Sequence, residues 1–347
     1  MVDLGPGFKV DETRRTRREE ARRRVVKQRR VAAAVLLLIV LANVVALTVG
    51  TPDFRSLGRP LGTGGAAEAG DAPREAAAAK TPPPPPPQLP RGGVEILPRY
   101  RVVGFYGAPQ ADELGVLGIG PPGQVGPKLL RQARAYRKGG RPVMPAFELL
   151  VTIASGAPGE DGKYRVRQKV AVIERYLKAA RKAKAILVLD IQPGRADFMS
   201  EVRHLRRWLE EPDVSLALDP EWSMKPGQLP GKQIGSTDAA TVNRVSAYLS
   251  ELVARRNLPQ KLLVVHQFTD DMITSPKKLV NRPRVALTRN VDGFGDRGIK
   301  TEKYKAFTRG KRRTRIGYKL FYKEDTNLMQ PGDVLRLRPK PDLVMYE

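Results

Sequence analysis

The sequence of 347 residues contains no cysteine and only two histidines, His204 and His266. Without cysteine there is no disulfide framework, no thiolate nucleophile, no cysteine zinc site and no lipid-modified N-terminal cysteine. Two histidines leave almost nothing for a multi-histidine metal centre or for a hydrolase triad with a histidine base. Any catalysis must therefore rest on carboxyl groups, and we predict neither a metal nor a cofactor.

Acidic residues are few relative to basic ones. The chain has 36 Asp and Glu against 62 Lys and Arg, which gives a net charge of +26 at pH 7. Such an excess indicates anionic surroundings, and we predict an anionic membrane surface as one partner. Few aromatic residues lie among the basic ones, so we do not expect nucleic acid as a partner.

One segment has no charged residue at all. Residues 31–50 are rich in Val, Leu and Ala, and their number is about what a helix needs to cross a membrane. Residues 1–30 are strongly basic, which predicts a cytoplasmic tail and places everything after the span outside the membrane. A cleaved secretory signal is the alternative, because Val44-Val45-Ala46 offers a small-residue cleavage site.

Residues 51–94 are poor in large apolar side chains and rich in Gly, Ala and Pro, with six consecutive prolines from Pro82 to Pro87. Such a composition cannot bury a core, and the proline run favours a stiff, extended chain. We predict a disordered linker that holds a globular domain, residues 95–347, away from the membrane.

Residues 95–347 alternate short β-branched runs with helix-like stretches. Eight strands are predicted: Arg101–Gly107, Pro142–Leu150, Ala185–Ile191, Val214–Pro220, Lys261–Gln267, Val285–Val291, Arg315–Phe321 and Pro341–Tyr346. Helical spacing is clearest over Tyr164–Ala183, Ala196–Leu209 and Asp238–Arg256. Eight strands in this length predict an α/β fold, a (β/α)8 TIM-like barrel. An open doubly wound sheet is the alternative, but no Gly-x-Gly-x-x-Gly turn follows a strand.

Polar and aromatic residues stand where these strands end, which in a barrel is the mouth of the active site. Buried acidic residues cost several kcal/mol unless they are paired, so their repetition at strand ends predicts a cleft lined by carboxylates. The predicted catalytic residues are Glu221, Asp219, Asp190, Glu148 and Asp292. The predicted substrate-binding residues are Tyr106, Gln192, Trp222, His266, Gln267, Phe268 and Tyr322.

Asp219 and Glu221 are the most informative pair, because residues two apart on a strand point to the same face. Glu221, beside Trp222, is predicted to be a general acid, with Asp219 orienting it and one of the other three acids as second carboxylate. The alternative is that some of these acids cap helices or pair with Arg195 and Lys225.

Two weaker patterns remain open at this point. His266 is either a proton shuttle, a hydrogen-bonding partner for a sugar hydroxyl, or a structural residue. Asp270 and Asp271 either bind a cation together with Asp292 or form an exposed acidic loop.

The stretch Leu216–Trp222 resembles the Asp-x-Glu motif on the fourth strand of barrel glycoside hydrolases of the lysozyme and chitinase types, in which the Glu is the acid. Leu189–Arg195, Leu218–Trp222 and His266–Phe268 also resemble an uncharacterised family of membrane-anchored or secreted proteins from high-GC Gram-positive bacteria, over most of residues 95–347. With the predicted cleft, the resemblance implies a membrane-anchored glycoside hydrolase-like domain acting on cell-wall or extracellular polysaccharide. A non-catalytic carbohydrate-binding or scaffold domain is the alternative.

Overall fold

The computed structural model describes residue 85, residues 87–310 and residues 314–347. The predicted cytoplasmic tail, the predicted membrane span and most of the predicted linker lie outside the described residues. Leu89, Ile96 and Leu97, near the start of the described residues, are buried.

Eight parallel strands form a closed barrel. In barrel order they are β1 (Arg101–Gly107), β2 (Val143–Ala154), β4 (Ile186–Ile191), β5 (Val214–Leu218), β7 (Lys261–Gln267), β9 (Val285–Val291), β10 (Arg315–Leu320) and β11 (Leu343–Tyr346). The ring is closed because β1 pairs in parallel with both β2 and β11. The predicted barrel is confirmed, and the open sheet is excluded.

Three short strands lie outside the ring. β3 (Arg165–Arg167) pairs antiparallel with the end of β2. β6 (Thr237–Asp238) and β8 (Ile273–Thr274) pair in parallel with each other. All three follow the carboxyl ends of barrel strands and therefore lie in the loops around the mouth.

Helices connect most successive barrel strands. They are α1 (Pro122–Arg134), α2 (Val170–Lys182), α3 (Phe198–His204), α4 (Arg206–Leu209), α5 (Ala239–Arg256), α6 (Arg297–Thr308) and α7 (Pro331–Arg336). Residues 268–284, between β7 and β9, are all described and contain a 3-10 turn and β8 but no α-helix. Within the described part of the chain, none of the helices is long and apolar enough to cross a membrane.

The predicted helix Tyr164–Ala183 begins later than expected, at Val170. Its first residues instead form β3 and extend β2 into a hairpin above the barrel rim. Arg165 and Arg167 both pair there with the buried carboxylate of Glu201. These ion pairs hold residues 165–167 in an extended conformation. The helical spacing of apolar residues in the sequence does not reveal such long-range contacts.

Side chains along each barrel strand alternate between the interior and the surrounding helices. Interior positions include Val102, Met144, Ala146, Val188, Ala217, Leu262 and Val264. The outer positions, such as Phe147, Leu189, Leu216 and Val265, pack with helix residues such as Leu177 and Leu249. This alternation fixes which polar side chains can reach the barrel mouth.

Candidate active site

A cavity of about 250 Å³ opens at the carboxyl ends of the barrel strands. Its wall contains Tyr106, Glu113, Leu114, Leu150, Gln192, Asp219, Glu221, Trp222, Phe268, Asp292, Gly293, Phe294, Lys319, Phe321, Glu324 and Glu347. The wall thus combines aromatic rings with six carboxyl groups and one amino group. Ligands commonly bind at this end of a barrel.

Strand alternation accounts for the polar residues of this region. Residues separated by an even number of positions on a strand point to the same side, and five polar residues are spaced in this way from apolar residues of the barrel interior. They are Tyr106, Glu148, Asp190, Asp219 and His266. Asp292, Lys319 and Glu347 continue the interior rows of β9, β10 and β11 in the same way. Each of these side chains therefore points into the barrel axis or its mouth.

His266 lies beneath the cavity between two carboxyl groups. Its Nδ1 is 2.8 Å from Asp292 Oδ2, and its Nε2 is 2.7 Å from Glu148 Oε1. Burial alone would lower the pKa of His266, but the charge of Glu148 and the hydrogen bonds that the ring donates to Asp292 and Glu148 raise it well above its ordinary value. In the absence of another cation, the ring is therefore an imidazolium that donates to both acids.

Lys319 is the cation of the cavity floor. Its Nζ lies 3.2 Å from Asp292 Oδ2, 2.6 Å from Glu347 Oε2 and 3.6 Å from the centre of the Tyr106 ring. Burial would lower the pKa of Lys319, but Asp292, Glu347 and Asp219 raise it well above its ordinary value. Its amino group is consequently a permanent positive charge.

Asp292 is the permanent anion that faces it. Burial would raise the pKa of Asp292, but Lys319 and His266 hold it well below its usual range. The Gly293 N–H also donates to Asp292 Oδ1, at 2.6 Å. Asp292 therefore stays ionised throughout the physiological range.

Glu221 is in the opposite electrostatic setting. Among the described residues its side chain has no ion-pair or hydrogen-bond partner, and it adjoins the buried ring of Trp222. Burial raises the pKa of Glu221 well above its ordinary value, and the charges of Asp219 and Asp292 raise it further. The surroundings of Glu221 consequently favour its protonated form.

The turn that carries Glu221 is held by close backbone packing. Pro220–Trp222 forms a 3-10 turn directly after β5, and the Gly235 N–H donates to the Glu221 carbonyl at 2.6 Å. A Cβ on Gly235 would lie 2.5 to 2.7 Å from the carbonyl oxygens of Ser223, Pro220 and Glu221. Only glycine permits this approach.

Several buried carboxyl oxygens have no hydrogen-bond partner among the described residues. They are both oxygens of Asp190, Oε2 of Glu148 and Oδ1 of Asp219. Burial raises the pKa of Asp190 well above its ordinary value and also raises that of Asp219. The floor of the site thus holds more carboxyl groups than its two cations neutralise.

The structure brings most of the predicted site residues together. Seven line the cavity: Tyr106, Gln192, Asp219, Glu221, Trp222, Phe268 and Asp292. Glu148, Asp190 and His266 lie directly beneath, each at most 1% exposed. None of the side chains of the five predicted catalytic acids caps a described helix; the capping acids are Asp197, Asp238, Asp296 and Asp333.

Four predicted residues lie elsewhere. The Gln267 side chain accepts from Arg289 at 2.9 Å and does not line the cavity. Tyr322 is 41% exposed and stacks on Tyr346, with ring centroids 5.1 Å apart, outside the cavity. Asp270 and Asp271 are exposed in the loop after β7.

Nine residues of the cavity wall were not among the predicted ones, and they include Lys319, Glu347, Phe294 and Phe321. Glu347 follows β11 directly, so the rule that found the other acids would have found it. Phe294 stands just after a predicted strand end, and its ring contacts that of Phe321, with centroids 5.9 Å apart. Lys319 lies within β10, where a lysine normally indicates an exposed face.

Comparison with protein-family models gave no match, and neither did comparison with curated proteins. Among solved structures, the chain is similar to dihydropteroate synthase from Burkholderia cenocepacia, solved in complex with 7,8-dihydropteroate. The two are 14% identical with a TM-score of 0.35, and the match covers 76% of this chain and 91% of that chain. A likeness at this level carries no conclusion about activity.

The prediction of a glycoside hydrolase-like domain is corrected. No family match supports either resemblance described above. The site also gives a physical reason. Glycoside cleavage develops positive charge on the sugar ring, whereas Lys319 places a permanent cation in the cavity. Polysaccharide hydrolysis is therefore not retained as the function.

Proposed function

We propose that the cavity is the active site of a hydrolase that cleaves an ester or amide bond in a small substrate, with Glu221 as the general acid. The observation that carries the proposal is the contrast between two acids lining one cavity. Glu221, beside Trp222, has no ion-pair partner in the described part of the chain, whereas Asp292 pairs with His266 and Lys319. Two carboxyl groups in opposite settings are typical of an acid–base site.

Lys319 indicates the reaction class. Ester and amide cleavage develops negative charge on the carbonyl oxygen, and a fixed cation in a cavity with little water stabilises that charge. In the proposed reaction Asp219 takes a proton from the attacking water. Glu221 then gives its proton to the departing oxygen or nitrogen. The products are a carboxylic acid and an alcohol or amine, and the proton taken from water restores the acid.

The cavity wall supports a substrate class as well. Its volume, about 250 Å³, is at the small end of the usual range for ligand sites. Its carboxyl oxygens accept hydrogen bonds, so the substrate should bring N–H or O–H donors or a positive charge. The rings of Trp222, Phe268 and Phe321 suit a flat or cationic group.

The experiment measures hydrolysis of p-nitrophenyl acetate and of alanine p-nitroanilide by the full chain in detergent. We expect release of p-nitrophenol or p-nitroaniline, reduced by roughly 100-fold or more in Glu221→Gln. The rate should fall as pH rises through the raised pKa of Glu221.

Glu251→Gln, an exposed substitution on α5, is the matched control and should keep the wild-type rate. Lys319→Met should lower kcat more than it raises KM, because its charge acts on the transition state. Absence of hydrolysis of both substrates, or equal rates in wild type and Glu221→Gln, would overturn the proposal.

A further inference from the structure

One group of side chains beneath the cavity takes no part in the acid–base reaction. Glu148, Asp190 and His266, the inner cluster, come from three barrel strands and are each at most 1% exposed. One potential ligand atom from each lies within 4.8 Å of those from the other two. A single small ion in this space would touch all three side chains.

The orphaned oxygens of the inner cluster are an independent observation. Both oxygens of Asp190 and Oε2 of Glu148 are buried without a hydrogen-bond partner among the described residues. Leaving a buried carboxylate unpaired is costly, and such groups in native structures are normally paired or bound to metal. Among the described residues, Asp190 has no hydrogen-bond partner, and its one recorded ion-pair contact is with His266 at 4.0 Å.

The nearby cation does not satisfy these oxygens. Lys319 directs its amino group to Asp292, at 3.2 Å, and to Glu347, at 2.6 Å. Its positive charge is therefore paired with two carboxyl groups of the cavity wall, and Asp190 is not among its recorded ion-pair partners. A further positive charge beside Asp190 and Glu148 would stabilise their buried carboxyl oxygens.

His266 is oriented as a metal ligand. Asp292 Oδ2 lies 2.8 Å from Nδ1, and this contact fixes the ring so that Nε2 faces Glu148 and Asp190. Nε2 is 2.7 Å from Glu148 Oε1 and 4.0 Å from Asp190 Oδ2. Ligand atoms around one ion lie on the order of 3 to 4 Å apart, so the His266–Asp190 distance already suits a shared ion and the His266–Glu148 distance must lengthen. A carboxylate behind a metal-binding histidine is a recurrent arrangement.

We propose that Glu148, Asp190 and His266 bind one divalent metal ion of the first transition series, with Asp292 holding the imidazole from behind. One imidazole nitrogen with two carboxylates suits Mn²⁺, Co²⁺ or Zn²⁺ better than Mg²⁺ or Ca²⁺, which prefer oxygen ligands alone. The ion replaces the proton shared by Nε2 and Glu148. It enters through the cavity, whose wall residues Tyr106 and Asp292 both contact His266.

This inference goes beyond the proposed hydrolase and does not depend on it, since Glu221 is not a ligand. The experiment uses the full chain in detergent, first treated with EDTA. Calorimetry measures the affinity for Mn²⁺, Co²⁺, Zn²⁺ and Mg²⁺ in separate titrations. Native mass spectrometry gives the number of ions bound per chain. The visible spectrum of bound Co²⁺ shows whether a nitrogen atom is a ligand. None of these readouts requires activity.

We expect one transition-metal ion per chain and at least about tenfold weaker binding of Mg²⁺. Asp190→Asn should weaken Mn²⁺ binding by roughly 100-fold, and Asp292→Asn by roughly 10-fold to 100-fold through the imidazole. Asp219→Asn is the matched control, because Asp219 also has an orphaned buried oxygen but lies outside the ligand set. It should change the affinity by less than about threefold.

Glu148→Gln is the second ligand variant, in case Asp190→Asn does not fold. The proposal is overturned if none of the ions binds the wild-type chain at millimolar concentration. It is also overturned if both ligand variants bind like the wild type, or if Asp219→Asn weakens binding as much as they do.

Discussion

Individual carboxyl groups in this site have divergent ionisation behaviour although they share one small volume. Asp292 stays charged because two cations contact it, whereas burial and the charges of Asp219 and Asp292 raise the pKa of Glu221 and favour its protonated form. Glu347 is intermediate: burial raises its pKa to about 7, and Lys319 opposes the rise. Such a group links the stability of the whole domain to pH.

Glu347 should make the folded state less stable as pH rises through neutrality. The unfolded chain loses this proton near pH 4.5 and the folded chain near pH 7, so the contribution is complete below pH 4.5 and is lost above 7. The substitution Glu347→Gln removes this pH-dependent contribution to stability. Relative to the wild type, the unfolding free energy of this variant should increase by about 2 kcal/mol between pH 5 and pH 8.

Urea unfolding at a series of pH values measures this difference. Glu302→Gln, an exposed acid on α6 with 73% side-chain exposure, removes the same charge and should show no comparable trend. A pH-independent difference between Glu347→Gln and the wild type would contradict the assigned direction.

The sequence located most of the individual site residues because strand periodicity is local. A polar residue two positions beyond an apolar interior residue, such as Asp190 after Val188, is placed by the alternation alone. Lys319 was missed because its partners, Asp292 and Glu347, come from different strands. Tyr322 was misplaced because β10 ends at Leu320, and its ring turns to Tyr346 outside the cavity.

At the level of elements, the loops after β4 and β5 are packed against each other and determine the shape of the mouth. The Met224 N–H donates to the Gly194 carbonyl at 2.7 Å, and the Arg195 N–H donates to the Lys163 carbonyl at 2.7 Å. Gly194 has φ of +59°, and a Cβ there would lie 2.3 Å from the Tyr164 carbonyl oxygen. The β2–β3 hairpin, the Gln192 loop and the Glu221 turn therefore form one unit.

Gly235→Ala should displace the turn that carries Glu221. The new Cβ meets three carbonyl oxygens at 2.5 to 2.7 Å, so the turn must move, at a cost of about 1 to 3 kcal/mol in unfolding free energy. Hydrogen–deuterium exchange should increase over residues 220–235, and any activity that requires Glu221 should fall by roughly 100-fold.

Gly123→Ala is the matched substitution for this test. Gly123 lies in α1 with nothing within 4 Å of an added Cβ, and the change should stabilise the domain by about 0.5 to 1 kcal/mol. Unchanged exchange in Gly235→Ala would show that the turn does not depend on this contact.

Element boundaries show where local sequence information ends. The eight barrel strands were predicted because apolar β-branched runs identify buried parallel strands wherever they occur. β3 was predicted as helix because its conformation depends on pairing with β2 and on ion pairs with Glu201, and the ion pair of Arg167 links residues 34 positions apart. The connection between β7 and β9 shows that a barrel unit can lack its helix.

For the whole molecule, the membrane anchor remains a prediction from residues 1–50. The chain has no cysteine, so a single introduced thiol reports topology without background. We expect a membrane-impermeant maleimide to label Ala157→Cys, an exposed position, in intact cells and to leave Thr13→Cys unlabelled until the cells are lysed. Labelling of Thr13→Cys in intact cells would reverse the assigned orientation.

Closure of the ring by β11 has a consequence for biosynthesis. β11 is the last of the eight barrel strands to leave the ribosome, and until it pairs with β1 and β10 both of those strands present open edges. Glu347 joins Lys319 only at that moment. The ion pair between these two side chains, and the ionisation that depends on it, are therefore acquired only when the ring closes. Chaperones that cover open sheet edges would then be needed only during this interval.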